Sequence, residues 1–118
     1  MLIIEDEPLI ALDLEDLLQA NGARTFSFAE TQQEAIDASR HHRPDFILSD
    51  VALIEGTGPC AVQTIRAEMG RIPVIFVTAT PEACSPCEPP GRIFRKPLDR
   101  PAIAAAFRAM SAGSVFFT

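Results

Sequence analysis

The chain has 118 residues, 47% of them hydrophobic and 22% charged, a balance suited to one globular domain with a buried core. Sixteen acidic residues against ten basic ones give a formal net charge of -6, which offers no long-range attraction to nucleic acid or to an anionic membrane. No apolar run approaches the roughly 20 residues of a membrane-spanning helix, and the acidic Glu5-Asp6-Glu7 directly after the first apolar residues argues against a signal peptide. A cytoplasmic, reducing location is therefore expected, and the three cysteines cannot all pair with one another.

Met1-Leu2-Ile3-Ile4 is a continuous apolar run, the pattern of a strand covered on both faces. Pro8 then opens a helix whose Ile10, Leu14, Leu17 and Leu18 share one face, and Asn21-Gly22 closes it. Thr25 to Phe28 reads as a short second strand. Thr31-Gln32-Gln33-Glu34 has the form of a capping box, starting a helix to about Arg40 that buries Ala35, Ile36 and Ser39. A break at His41-His42-Arg43-Pro44 precedes a third strand, Asp45 to Asp50.

Gly56 and Gly58 mark a loop, and Pro59 starts a third helix with Val62, Ile65 and Met69 inward, closed by Gly70. Pro73 to Thr78 is a fourth, fully apolar strand. The stretch from Thr80 to Gly91 holds Pro81, Pro86, Pro89 and Pro90, too many for a helix of normal length. Arg92 to Arg95 is a fifth strand. Asp99 and Pro101 start a final helix through Ile103, Phe107 and Met110, with residues 113–118 as a C-terminal tail. Strands alternating with helices at this spacing imply β-α-β units, hence one doubly wound α/β domain around a five-stranded parallel sheet.

In such a sheet ligands bind beyond the carboxyl ends of the strands. The residues at those ends are Glu5 and Asp6, Asp50, Thr78, and Lys96-Pro97, so the fold brings carboxylates, a hydroxyl and an ammonium to one edge. Mg²⁺ takes hard oxygen ligands and is commonly held by one or two carboxylates with phosphate and water. A carboxylate can also serve as nucleophile toward phosphorus. Lysine and threonine are natural partners for the transferred oxygens.

The segments Ile3-Ile4-Glu5-Asp6-Glu7-Pro8, Asp45 to Asp50, Pro73 to Ala79 and Lys96-Pro97 resemble, in order, the signature segments of response-regulator receiver domains. The resemblance spans nearly the whole chain. It implies a CheY-like (flavodoxin-like) fold and a protein that is a switch in a two-component pathway, not an enzyme. By resemblance, Asp50 is the phosphoacceptor, while Glu5, Asp6, Asp50 and the backbone carbonyl of Ala52 hold Mg²⁺. Thr78 is the switch hydroxyl, Lys96 pairs with the phosphoryl group, and the Lys96–Pro97 bond is cis. Implied partners are a histidine kinase or phosphotransfer protein and a downstream output domain or target. The opening segment is further similar to receivers of bacterial stress-response regulators and of small single-domain regulators, so the chain reads as a stand-alone receiver or a piece of a longer regulator.

Three features depart from that pattern. Position 93, where the family places a switch aromatic, is Ile93; Phe94 is adjacent but faces the other way on a strand. The Pro-rich stretch before the fifth strand implies a shortened or missing fourth helix. Ile54 stands where the family often has Pro.

Other readings compete for single residues. Glu5-Asp6-Glu7 could be only an acidic helix start, and Glu7 is read that way. Cys84-Ser85-Pro86-Cys87 has zinc or redox spacing but lacks two further ligands beyond acidic ones. His41-His42 is read as a solvated helix end. For the whole chain, one alternative is a degenerate receiver that binds partners without phosphorylation, favoured by Ile93. Another is an aspartyl-nucleophile phosphatase, disfavoured because Val51-Ala52 follow Asp50 where such enzymes place a second acid.

Overall fold

The strand-forming runs are buried on both sides because each feeds two cores at once. The computed structural model describes residues 1–78 and 92–116. Its strands are β1 (Leu2–Ile4), β2 (Ser27–Ala29), β3 (Ile47–Asp50), β4 (Val74–Thr78) and β5 (Arg92–Arg95), all parallel in the order β2-β1-β3-β4-β5. Among the described residues the helices are α1 (Pro8–Ala20), α2 (Gln32–His41), α3 (Gly58–Met69) and α4 (Arg100–Phe116).

Side chains alternate across a strand, so β1 splits its apolar residues between the two faces. Ile3 packs with Leu14 and Leu18 of α1 and with Ile103 and Phe107 of α4. Leu2 and Ile4 pack instead with Ala35 and Ile36 of α2 and with Val62 and Ile65 of α3. Each such Leu or Ile, fully buried, contributes roughly 1.5–3 kcal/mol from apolar surface removed from water. That two-sided burial is what makes the parallel sheet stable and rigid.

The helix starts are fixed by short polar side chains. Thr31 Oγ1 accepts the Glu34 N–H at 3.1 Å, while the Glu34 carboxylate accepts the Glu30 N–H at 3.0 Å, one residue before the reciprocal donor of a standard capping box. Thr57 Oγ1 accepts the Cys60 N–H at 3.2 Å and caps α3, a role not read from the sequence. Asp99 Oδ1 accepts the Ala102 N–H at 3.1 Å at the start of α4.

Several expected boundaries move. The second strand is Ser27–Ala29 and not Thr25 to Phe28, because its register sets Ser27, Phe28 and Ala29 beside Leu2, Ile3 and Ile4. The third begins at Ile47, although Phe46 is already buried. The final helix does not stop near Gly113; it runs on to Phe116, so the expected tail is helical over residues 113–116. A single glycine costs a helix about 1 kcal/mol and does not by itself end it. The Pro-rich stretch in which a helix is expected to be short or missing, with Cys84 and Cys87, lies outside the described residues. No described helix is long and apolar enough to cross a membrane.

Gly58, the first residue of α3, is packed against the backbone of β3. A Cβ there would stand 1.9 Å from the Asp50 carbonyl oxygen and 2.2 Å from Ser49 Oγ. Alanine in place of a helical glycine ordinarily stabilises by roughly 0.5–1 kcal/mol. Here the sign reverses. Gly58→Ala is expected to destabilise the protein by roughly 1–3 kcal/mol in urea unfolding, since the fixed β3 backbone must shift to admit a methyl group.

Candidate functional site

The carboxyl ends of β1 and β3 lie side by side because these strands are neighbours at the point where the strand order reverses. Glu5 and Asp6 follow β1, and Asp50 ends β3. One oxygen from each of these three carboxylates lies within 4.8 Å of the others. Glu5 and Asp50 are buried, at 3% and 7% exposure, whereas Asp6 is half-buried at the rim.

Lys96 reaches this cluster from beyond β5. Its Nζ donates to Asp50 Oδ2 at 3.2 Å and to Glu5 Oε1 at 3.3 Å. Its own N–H is fixed by the Thr78 carbonyl at 2.8 Å, which continues the β4–β5 pairing past the end of the strand. The Lys96–Pro97 peptide is cis. Asp50 Oδ1 accepts the Val51 N–H at 2.8 Å, so both of its oxygens are held. Glu5 Oε2 accepts the Glu7 N–H at 3.2 Å, and Glu7 itself is exposed.

Burial, reinforced by the Asp50 charge, pushes the Glu5 carboxyl up to about 7 despite the opposing pull of Lys96 and the Glu7 N–H. Burial also pulls the Lys96 ammonium down, but Glu5 and Asp50 together outweigh it and leave it above its ordinary value. The lysine therefore stays charged. One ammonium shared between two buried acids leaves negative charge in excess, and hard carboxylate oxygens at this spacing suit a small divalent cation.

Thr78 is buried at the end of β4, one residue past Val77, the register partner of Asp50. Ala52 is exposed in the loop after β3, where it faces Thr57 in an isolated antiparallel bridge. Ile93 stands apart. It pairs with Phe76, further down the strands from the carboxylate edge, and is 41% exposed. Phe94 points to the opposite face and packs against the core beneath α1 and α4, so a one-residue slip that would exchange the two does not occur.

Two further contributors were not read as part of the site in the sequence. Ser49 is fully buried and its hydroxyl donates to the Asp50 carbonyl at 2.7 Å. Gly58 donates its N–H to Val51 O at 2.9 Å, closing the loop behind Asp50. The signal available for both was only their nearness to Asp50 in the chain.

A doubly wound sheet with an acidic cluster, a buried threonine and a lysine at the carboxyl edge defines a class. Residues 1–85 match the response regulator receiver domain, and the chain belongs to that family. It is 43% identical over 83 residues to the phyllosphere-induced regulator PhyR of Methylorubrum extorquens, a match covering 70% of this chain and 31% of that regulator. The chain thus spans about a third of that relative. The solution structure of the PhyR receiver domain from Erythrobacter litoralis superposes with a TM-score of 0.81 at 32% identity, over 99% of this chain and 89% of the other. The receiver domain of the sensor histidine kinase PA1611 from Pseudomonas aeruginosa, solved with a magnesium ion in its active site cleft, gives 0.79 at 26% identity over 92% and 93%.

The raised Glu5 has a consequence for the metal-free protein. Because its folded value of about 7 exceeds the ordinary 4.5, the folded state holds the proton more tightly between those two pH values. Metal-free stability should therefore fall as pH rises through that window. Glu5→Gln should raise the metal-free Tm relative to wild type by several degrees at pH 8 and much less at pH 5. Thermal melts in chelator check this, and an equal shift at both pH values would contradict it.

Proposed function

We propose that the chain, taken as one receiver unit, accepts a phosphoryl group on Asp50 from a phosphohistidine donor and thereby switches a partner interaction. The observation that carries this reading is the shared contact of Lys96 with Asp50 and Glu5 beside the half-buried Asp6. Glu5, Asp6 and Asp50, with the Ala52 carbonyl, are the residues to hold Mg²⁺, which when bound neutralises the carboxylates and the incoming phosphoryl oxygens.

An Asp50 carboxylate oxygen forms the new bond to phosphorus as the donor's N–P bond breaks, and the departing imidazole keeps the electron pair. The product is an acyl phosphate. Lys96, already within 3.2 Å of Asp50, is placed to turn from the carboxylate to a phosphoryl oxygen. The Val51 N–H holds the second Asp50 oxygen, so the carboxylate keeps its orientation during attack. Thr78 supplies the hydroxyl that answers the new charge. Burial of Glu5, Asp50 and Thr78 limits water at the reacting atoms.

A phosphohistidine donor implies a histidine kinase or phosphotransfer protein as the upstream partner, and a downstream output domain or target protein as the reader. We place this exchange in the cytoplasm.

Incubation with acetyl phosphate and Mg²⁺ followed by intact-mass measurement tests the reading. Wild type should gain one phosphoryl group, Asp50→Asn none, and Lys96→Met should be labelled at least about 10-fold more slowly. No gain at any Mg²⁺ concentration would favour a receiver that binds partners without phosphorylation. Continuous hydrolysis of a phosphate ester would instead favour an aspartyl phosphatase.

A further inference from the structure

The loop that follows Asp50, residues 51–57, is fastened to the start of α2 at two points. The Gln32 N–H donates to the Glu55 carbonyl at 3.0 Å, and Gln32 Oε1 accepts the Thr57 N–H at 3.1 Å. Gly56 passes directly beneath that side chain at a φ of +81°, and a Cβ there would stand 2.3 Å from Gln32 Oε1. Thr57 in turn faces Ala52 in the antiparallel bridge, and Gly58 holds Val51. A continuous set of contacts therefore runs from Gln32 through Thr57 to Ala52, two residues from Asp50.

The capping of α2 leaves this side chain available. Thr31 and Glu34 satisfy the helix start, and Gln33 bonds to Asp37, so Gln32 is the member of its turn that is turned to the loop. Mg²⁺ demands near-ideal octahedral geometry and tolerates a displaced ligand poorly. A main-chain carbonyl on a loop is a good ligand only when the loop is ordered beforehand, since otherwise ordering opposes binding.

We propose that Gln32 is a positioning residue for the cation site, holding the 51–57 loop, and with it Ala52, in a fixed place behind Asp50. The inference rests on the reading of Asp50 as phosphoacceptor and Ala52 as a cation ligand. Without Oε1 the Thr57 N–H loses its partner, and the bridge to Ala52 loosens. Groups that orient metal ligands in this indirect way typically change affinity by about 10–100-fold when removed.

The test compares wild type, Gln32→Met, Gln32→Glu and the neighbouring control Gln33→Ala. Three readouts are needed: Mg²⁺ affinity by calorimetry, exchange of the Thr57 amide in metal-free protein by NMR, and labelling by acetyl phosphate at saturating Mg²⁺. Gln32→Met should weaken Mg²⁺ by about 10-fold, speed Thr57 amide exchange and leave saturated labelling little changed. Gln32→Glu keeps the acceptor and should restore both affinity and protection, and Gln33→Ala should match wild type. If Gln32→Met does not fold, Gln32→Asn, one methylene too short to span the gap, replaces it with the same expectation. A lowered Tm with unchanged Mg²⁺ affinity would make Gln32 a mere structural tether and overturn the proposal. Weakened Mg²⁺ in a protein whose wild type takes no phosphoryl group would support the positioning role and sink the phosphoacceptor reading instead.

Discussion

Three carboxylates at one sheet edge, with one lysine threaded between two of them, set the terms for everything else in this molecule. Glu5 and Asp50 are nearly removed from water, where an unpaired charge is expensive. The strand order decides how that charge is met. β1 and β3 are neighbours, so their acids meet directly, but β5 lies two strands from β3, roughly 10 Å away at ordinary strand spacing. Only a long, flexible cation can cross β4 and still touch both acids. Lys96 does so, and its backbone is anchored on Thr78.

The same electrostatic set explains why the surroundings are stiff. Ser49, Gly58 and the Val51 N–H all close on Asp50 or the backbone beside it, leaving its carboxylate little freedom. The acids are thereby held in place by the fold itself. Preorganisation of this kind moves the ordering cost from binding to folding, where the two packed faces of the sheet offset it.

Much of this was legible in the sequence, for identifiable reasons. Continuous runs such as Pro73 to Thr78 mark strands buried on both faces, and the polar residue ending each run marks the ligand edge, so the sequence itself brings Glu5, Asp6, Asp50, Thr78 and Lys96 together. Strand and helix bounds were less legible. Ser27–Ala29 owes its limits to register with β1, and α4 passes through Gly113 because one glycine is a weak stop. Gln32, Ser49 and Gly58 were invisible because their importance lies in contacts with main-chain atoms of another segment, which no spacing rule encodes. Position 93, where a departure from the family pattern is expected, is occupied by Ile93 on β5. It lies on the exposed side of β5 in register with Phe76, while Phe94 packs against the core and Arg95 is the register partner of Thr78.

On the proposed function, the buried, lysine-paired carboxylate of Asp50, and no other acid of the cluster, becomes the acyl phosphate. Borohydride reduction of the phosphorylated protein, followed by peptide sequencing by mass spectrometry, tests it most directly. Reduction to homoserine is expected at position 50 alone. Reduction at Glu5 or Asp6, or a stable phosphoprotein with no reducible carboxyl at all, would contradict it.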